Sequence, residues 1–233
     1  MRTNWTYSSI STYRKCPRRY DLRYNQKVPD PQGPAAARGE AIHGAMENYI
    51  NTGDASAAHI EDPQLRAEAL AIVRDWQKML DQLRAGHAVA EELWRFDVDW
   101  YVPTGLDDTW AVMKLDAFVN KAPVARVVDF KTGREYPRDH AEQMEIYALG
   151  AWARRVSDTQ TVVAELWYLD QGPAHGIRER SFTPQALRRL EKKWRAAAGE
   201  VLHAALFPAR PSPDNCKWCP YSKRKGGQCG QDA

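Results

Sequence analysis

The four cysteines of this chain stand at its two ends: Cys16 in YRKCPRRY, then Cys216, Cys219 and Cys229 in DNCKWCPYSKRKGGQCG. If their sulfurs serve one centre, the first helix must meet the last tail and the chain must close on itself. Thiolates are soft donors that suit tetrahedral zinc or an iron–sulfur cluster, and a C-x-x-C turn serves either. Zinc ribbons ordinarily use two such pairs. Here there is one pair, a third cysteine across nine intervening residues, and a partner far upstream, a spacing that leans toward a cluster and leaves zinc open. Two disulfides or four separate core thiols are the competing readings. No hydrophobic secretory segment opens the sequence, so the expected setting is cytoplasmic and reducing, where disulfides are rare. The late triplet also lies in a polar tail with little core to join.

With 233 residues and 43% hydrophobic content, the chain has enough apolar side chains for one sizeable core, and no run is long enough to span a bilayer. The net charge of +3 says little, whereas its distribution says more. Arg14, Lys15, Arg18, Arg19, Arg23 and Lys27 face a single acid, Asp21, and the segment from Arg210 to Lys225 is similarly basic. These segments carry the cysteines. Joined, they would form a patch suited to a phosphate backbone, with Tyr13, Tyr20, Tyr24, Trp218 and Tyr221 available to stack unpaired bases. A solvated basic face over packed tyrosines is the alternative.

Ser8 is expected to cap a first short helix, Pro17 to open a second, and Pro29 to Gly39 to form a mobile loop. A helix through GEAIHGAMENYI carries Ile42, Met46, Tyr49 and Ile50 on one stripe. Asp62-Pro63 opens a longer one with Leu65, Ala69, Ile72, Val73, Trp76, Leu80 and Leu83 at helical period. The period then changes to 2 in EELWRFDVDWYV, and TWAVMKLDAFVN and VARVVDFKTG follow as strands, predicting an antiparallel meander. Asp139 is expected to cap a helix through HAEQMEIYALGAWARR. TVVAELWYLD reads as a strand, HGIRERSF as an edge strand, and Thr183-Pro184 as the start of a last helix. Together these elements predict an α/β fold, a central mixed sheet flanked by helices.

Asp129 and Lys131 are two apart on a strand, so both side chains leave one face, and Gly133 lets the chain turn directly afterwards. A carboxylate and an ammonium held there require partners, such as a bound cation or a substrate anion. Asp116 sits in an otherwise apolar run on the preceding strand. If the strands pair, the two aspartates could share a hard divalent ion beside a phosphate, with Lys131 alongside. A surface Asp–Lys pair on a hairpin would give the same D-x-K pattern.

The ordered set is more specific. SISTYRKCPRRYDLRY, RGEAIHGAMENY, KLDAFV, VVDFKTG, QMEIYALGAW and the C-x-x-C-P tail together resemble the RecB-type branch of the PD-(D/E)xK nucleases. Within it they are similar to the iron–sulfur members that include CRISPR-adaptation nucleases and the AddB nuclease domain. Leu115 stands where the superfamily name has proline, and Asp129 replaces glutamate; RecB-type members resemble this chain in both respects. The resemblance implies a restriction-endonuclease-like core over residues 31–206, with a helical insertion, and an iron–sulfur lobe built from 1–30 and 207–233. It implies that His43, Asp116, Asp129 and the Phe130 carbonyl ligate Mn²⁺ or Mg²⁺, and that Lys131 is the catalytic lysine. Gln143 and Tyr147, one helical turn apart, would face the site. Cys16, Cys216, Cys219 and Cys229 would hold a 4Fe-4S cluster.

The expected activity is that of a metal-dependent DNA exonuclease acting on single-stranded ends in recombination, repair or end processing. The expected setting is a bacterial cell, with a viral gene as another source, and the expected partners are DNA, further copies of the chain, or a helicase or recombination protein. Glu92 or Glu91 could approach the site, and Arg38 and Lys114 could contact phosphates. The rival readings are a non-catalytic nucleic-acid-binding module with a structural four-cysteine metal, and a latent nuclease subunit of a larger assembly.

Overall fold

The computed structural model describes residues 3–30, 33–57 and 59–231. The chain divides into two compact units, one of Met1–Pro31, Arg95–Val112 and Lys192–Ala233, the other of Gln32–Trp94 and Met113–Glu191.

The second unit is built on a five-stranded mixed sheet. Its strands are β1 (Val89–Ala90), β4 (Ala117–Val119), β5 (Val124–Lys131), β6 (Thr161–Tyr168) and β7 (Ile177–Phe182), in the spatial order β1-β4-β5-β6-β7. β5 and β6 run parallel and the other neighbours antiparallel. A parallel pair needs a crossover, which the helix α5 (Pro137–Ala153) supplies. Both central strands are buried on both faces over most of their length, as strands covered on two sides are.

Helices α3 (Pro34–Thr52) and α4 (Pro63–Ala85) cover one face. Ile42, Met46, Val73, Trp76 and Leu80 share one core with Val128, Phe130 and Trp167 of the sheet. The Trp76 and Trp167 rings stack 5.1 Å apart, and Trp76 Nε1 donates to the Leu169 carbonyl at 3.1 Å. Asp62 caps α4 by accepting from the N–H groups of Gln64 and Leu65 at 2.8 and 2.9 Å, with Pro63 in the first turn. Arg84 closes α3 from α4 by donating to the Tyr49 and Ile50 carbonyls at 2.7 and 2.8 Å. On β5, alternation turns Asp129 and Lys131 away from this core and toward α5.

Several expected boundaries move. Thr6, not Ser8, caps α1 (Tyr7–Lys15), because Thr6 and Ser9 exchange side-chain and backbone bonds in a capping box. The expected loop at 29–39 is already helix from Pro34, since proline is pre-set for a first turn and three alanines follow it; Pro31 and Gln32 lie outside the described residues. Helix α5 begins at Pro137, so Asp139 is in its first turn and not its cap. The strand expected through Val102 ends at Phe96 (β2, Leu93–Phe96), where Asp97 Oδ1 accepts from the N–H groups of Asp99 and Tyr101 at 2.9 Å each and forces a turn. Val98 and Val102 are exposed as a result. The next expected strand is two, β3 (Ala111–Lys114) and β4, broken at Leu115 and Asp116. β2 and β3 form a separate two-stranded sheet, so the expected three-strand meander reduces to the β4–β5 hairpin.

The turn after β6 contains a glycine that no other residue replaces without cost. A Cβ on Gly176 would lie 2.4 Å from the Tyr168 carbonyl oxygen and 2.7 Å from that of Gly172, both backbone atoms with nowhere to go. Gly176→Ala is expected to destabilise the protein by about 1–3 kcal/mol, read as a lower denaturant midpoint at unchanged slope.

In the first unit, α1, α2 (Pro17–Tyr20) and a π-helical turn, Asp21–Asn25, meet the C-terminal tail. Arg210 Nη1 donates to the Arg14 carbonyl at 2.7 Å, Asn215 Nδ2 to the Lys15 carbonyl at 2.9 Å, and Tyr221 OH to the Val28 carbonyl at 2.9 Å. The two ends of the chain are thus joined by side-chain-to-backbone bonds about two hundred residues apart in sequence. The later half of α6 (Pro184–Leu202) belongs to this unit, where Trp194 stacks on Trp5 at 6.5 Å.

Candidate active site and cysteine pocket

The break between β3 and β4 creates the site. Asp116 precedes β4, and where a continuing strand would have bonded β5 through its backbone, the Asp116 carboxylate does so: Oδ2 accepts from Phe130 N–H at 2.6 Å. Its other oxygen, Oδ1, stands 3.0 Å from His43 Nδ1. His43 reaches it from the middle of α3, and its ring packs edge-on against Phe130 at 5.8 Å.

One residue before Phe130 on β5, Asp129 is 4% exposed and forms an ion pair with Lys131 Nζ through Oδ2. That oxygen makes no hydrogen bond of good geometry. Asp129 Oδ1 is 3.5 Å from Gln143 Nε2, which donates to Tyr147 OH at 2.6 Å; the four-residue spacing puts both side chains on one face of α5. His43, Asp116, Asp129, Lys131, Gln143 and Tyr147 are therefore brought together. Phe130 contributes its backbone N–H to Asp116, and its side chain belongs to the core.

The electrostatics follow from burial beside like charge. Burial raises the Asp129 pKa, Lys131 pulls it partly back, and the Asp116 charge raises it further. For His43, burial acts to lower the pKa, but the hydrogen bond and charge of Asp116 outweigh it and the net shift is upward. Burial, with the charges of Asp129 and Asp116, holds the Tyr147 phenol well above its ordinary range, so it stays protonated.

These groups open onto a cleft of about 530 Å³ lined by His43, Asp116, Asp129, Thr132 and Tyr147 together with Glu40, Glu91 and Lys114. Glu91 and Glu92 are now distinguished. Glu92 accepts from Trp94 Nε1, whereas Glu91 lines the cleft and pairs with Lys114. Arg38, considered from sequence as a phosphate ligand, is engaged instead with Asp170 and Glu68. Glu40 and Glu47 were not singled out from sequence. Burial first, then Glu91, raises the Glu47 pKa. The signal was available, because positions 40, 43 and 47 share one face of a helix.

In the first unit, Cys16, Cys216, Cys219 and Cys229 line one small pocket with Arg19 and Tyr221. No disulfide joins any two of the four. Burial raises the Cys219 pKa, and the Arg19 charge acts against it. Of the aromatic residues expected to stack bases, Tyr13, Tyr20 and Tyr221 are buried and hold the lobe together, the first two edge to face at 5.6 Å. Tyr24 is half-buried, and Trp218 is 69% exposed with Lys217 Nζ over its ring. The basic run is partly neutralised by the Arg18–Asp21 and Arg23–Asp30 pairs.

Among the described residues, no three His, Cys, Asp or Glu side chains stand as a ready metal-holding group. In the cleft the donor atoms are paired with one another, His43 with Asp116 and Asp129 with Lys131. No helix among the described residues is long and apolar enough to cross a membrane.

A mixed sheet flanked by helices, with two acids and a lysine at the junction of adjacent strands, defines a restriction-endonuclease-like core. The chain belongs to the PD-(D/E)XK nuclease superfamily, whose profile matches residues 4–224. Among solved structures, the Eubacterium rectale protein named "Putative exonuclease" is similar in fold, with a TM-score of 0.54 and 11% identity over 96% of this chain and 87% of its own. SSO0001 is 12% identical over 86% of this chain and 91% of its own, and its TM-score of 0.35 adds nothing to the fold assignment. No curated protein matches the chain.

Proposed function

We propose that this protein is a divalent-metal-dependent deoxyribonuclease that digests DNA from single-stranded ends. The observation that carries the reading is the gathering of His43, Asp116, Asp129 and Lys131, three of them lining one cleft. The donor set, two carboxylates, one imidazole and the Phe130 carbonyl, suits Mn²⁺ or Mg²⁺, and buried Asp129 Oδ2, ion-paired with Lys131, makes no hydrogen bond of good geometry and so keeps lone-pair capacity for a cation. A divalent ion bound by these residues supplies charge neutralisation and water activation for phosphodiester hydrolysis.

The chain's own groups do the rest. Asp116 orients His43 through Nδ1, which leaves Nε2 as the nitrogen for a ligand. Lys131 brings an ammonium to the scissile phosphate, where negative charge grows in the transition state. Gln143 holds Asp129, and Tyr147, kept protonated, holds Gln143. The four cysteines are the ligands of a 4Fe-4S cluster that ties the two chain ends together, and their common pocket supports this. Exposed Trp218 beside Lys217 supports a single-stranded substrate, since an indole face stacks on any unpaired base.

The direct test incubates the purified protein with end-labelled single-stranded and duplex DNA in Mn²⁺, Mg²⁺ or chelator. Progressive shortening of the single strand, dependent on metal, is expected. Intact label under every condition would overturn this reading and leave the binding module and the latent nuclease subunit of a larger assembly.

A further inference from the structure

Helix α3 bears His43 and strand β5 bears Asp129 and Lys131, so the site depends on how these two elements are held against each other. β5 makes its last ladder pair at Lys131, opposite Tyr168. The chain then leaves through Thr132 and Gly133, the latter at a φ of +78° that favours glycine. Its N–H has passed the end of the ladder. Asp170, in the short 3-10 turn Leu169–Gln171 after β6, accepts that N–H through Oδ2 at 2.6 Å.

The same carboxylate is gripped from α3. Arg38 Nη2 donates to Asp170 Oδ1 at 2.6 Å and Nη1 to Oδ2 at 3.2 Å, while Nε donates to Glu68 of α4 at 2.7 Å. The guanidinium fork thus engages both oxygens, the geometry in which an arginine–carboxylate pair is strongest and most directional. An independent contact marks the same junction. A Cβ on Gly39 would come 3.1 Å from Thr132 Oγ1, so the backbone of α3 rests directly against the strand exit.

We propose that Asp170 and Arg38 are positioning residues: a clamp that pins the exit of β5 to α3 and so sets the separation between His43 and the Asp129–Lys131 pair. Neither residue touches the substrate. Their importance lies in tolerance, because a misplacement of about 1 Å in a catalytic group costs roughly 100-fold in rate. The clamp also explains why Arg38, one residue from the cleft-lining Gly39, is turned away from the cleft and toward an acid.

The activity consequence rests on the nuclease reading, so the test pairs it with a measurement that does not. Mn²⁺ binding is followed by titration calorimetry, and kcat and KM on end-labelled single-stranded DNA are measured for the parent, Asp170→Ala, Asp170→Asn and Arg38→Lys. For Asp170→Ala the Mn²⁺ Kd is expected to rise and kcat to fall, each by about 10-fold to 100-fold, the range seen when outer partners of a metal site are removed. KM for DNA is expected to stay within about 3-fold, since no substrate contact is lost. Asp170→Asn keeps an oxygen for Gly133 and is expected to fall between parent and alanine. Arg38→Lys, lacking the fork, is expected to behave like Asp170→Asn.

If Asp170→Ala does not fold, the two milder variants decide. Folded variants whose Mn²⁺ Kd and kcat both match the parent overturn the clamp. So does a loss that appears in KM alone. A parent that binds Mn²⁺ without cutting DNA overturns the nuclease reading, and the ratio of Kd values then judges the clamp by itself. A parent that does neither overturns both.

Discussion

Replacing Lys131 by alanine is expected to reduce DNA cleavage by about 100-fold or more, the cost of removing one charged stabiliser of a transition state, while Mn²⁺ binding stays as tight as in the parent or tightens. The two readouts separate because the Lys131 ammonium and a bound cation address the same oxygen. Asp129 Oδ2 is the ion-pair partner of Lys131 and makes no other hydrogen bond of good geometry. An ammonium and a divalent cation about 4 Å apart at an effective dielectric of about 20 oppose each other by about 8 kcal/mol, so removing the ammonium favours the ion. Burial already holds the Asp129 carboxyl above its usual range, and losing Lys131 raises it further. A more alkaline buffer favours the ionised carboxylate, so the calorimetry compares the two proteins across a range of pH. Undiminished digestion by the variant would remove Lys131 from the chemistry. Loss of Mn²⁺ binding alongside activity would make it a structural residue of the site.

Cys216→Ser should act through folding. A structural metal contributes on the order of 10 kcal/mol to a small domain, as much as the whole net stability of many domains. Cys216 is buried and shares its pocket with the other three cysteines. The five-stranded sheet of the second unit has its own core around Trp76, Phe130 and Trp167. The serine variant is therefore expected to lose visible absorbance and to melt in two steps, the first at a temperature well below the parent's single transition and the second close to it. Scanning calorimetry with absorbance near the blue end reads both. A parent preparation that is colourless but zinc-loaded would replace cluster by zinc and leave the melting behaviour as stated. An unchanged melting curve would show that the cysteines do not join the ends.

Much of the fold could be read from periodicity and punctuation. Asp62-Pro63 opened α4 where expected because a side-chain cap and a pre-set proline are local devices, needing no distant partner. The apolar runs that became β5 and β6 could be read for the same reason. What was missed depended on competition between local signals. The period-2 pattern continued through Val102, but Asp97 ended the strand by bonding two backbone N–H groups ahead of it. The run through KLDAFV read as unbroken, yet an aspartate that takes over a ladder bond cannot also lie within a regular strand.

In the site, Asp116 was visible as a charge in an apolar run and Asp129 with Lys131 as a pair two apart on one strand, whereas His43 was marked only by the resemblance to a nuclease family. Glu47 was visible in principle, one turn beyond His43. Asp170 was not, because its partners Gly133 and Arg38 lie 37 and 132 residues away and nothing in the neighbouring letters marks it.

The order of the chain alone determined which residue types were at hand, the period of each segment, and the placing of the cysteines at its two ends. Those properties are set by side-chain chemistry and by neighbours within a turn or two. Only the tertiary structure decided that Glu91 and not Glu92 faces the cleft, that Arg38 holds an acid instead of a phosphate, and that three of the five aromatics in the basic segments are buried. Each of those outcomes is a choice among partners for one charged or aromatic group. Such choices turn on distance and burial, which exist only once the chain has folded.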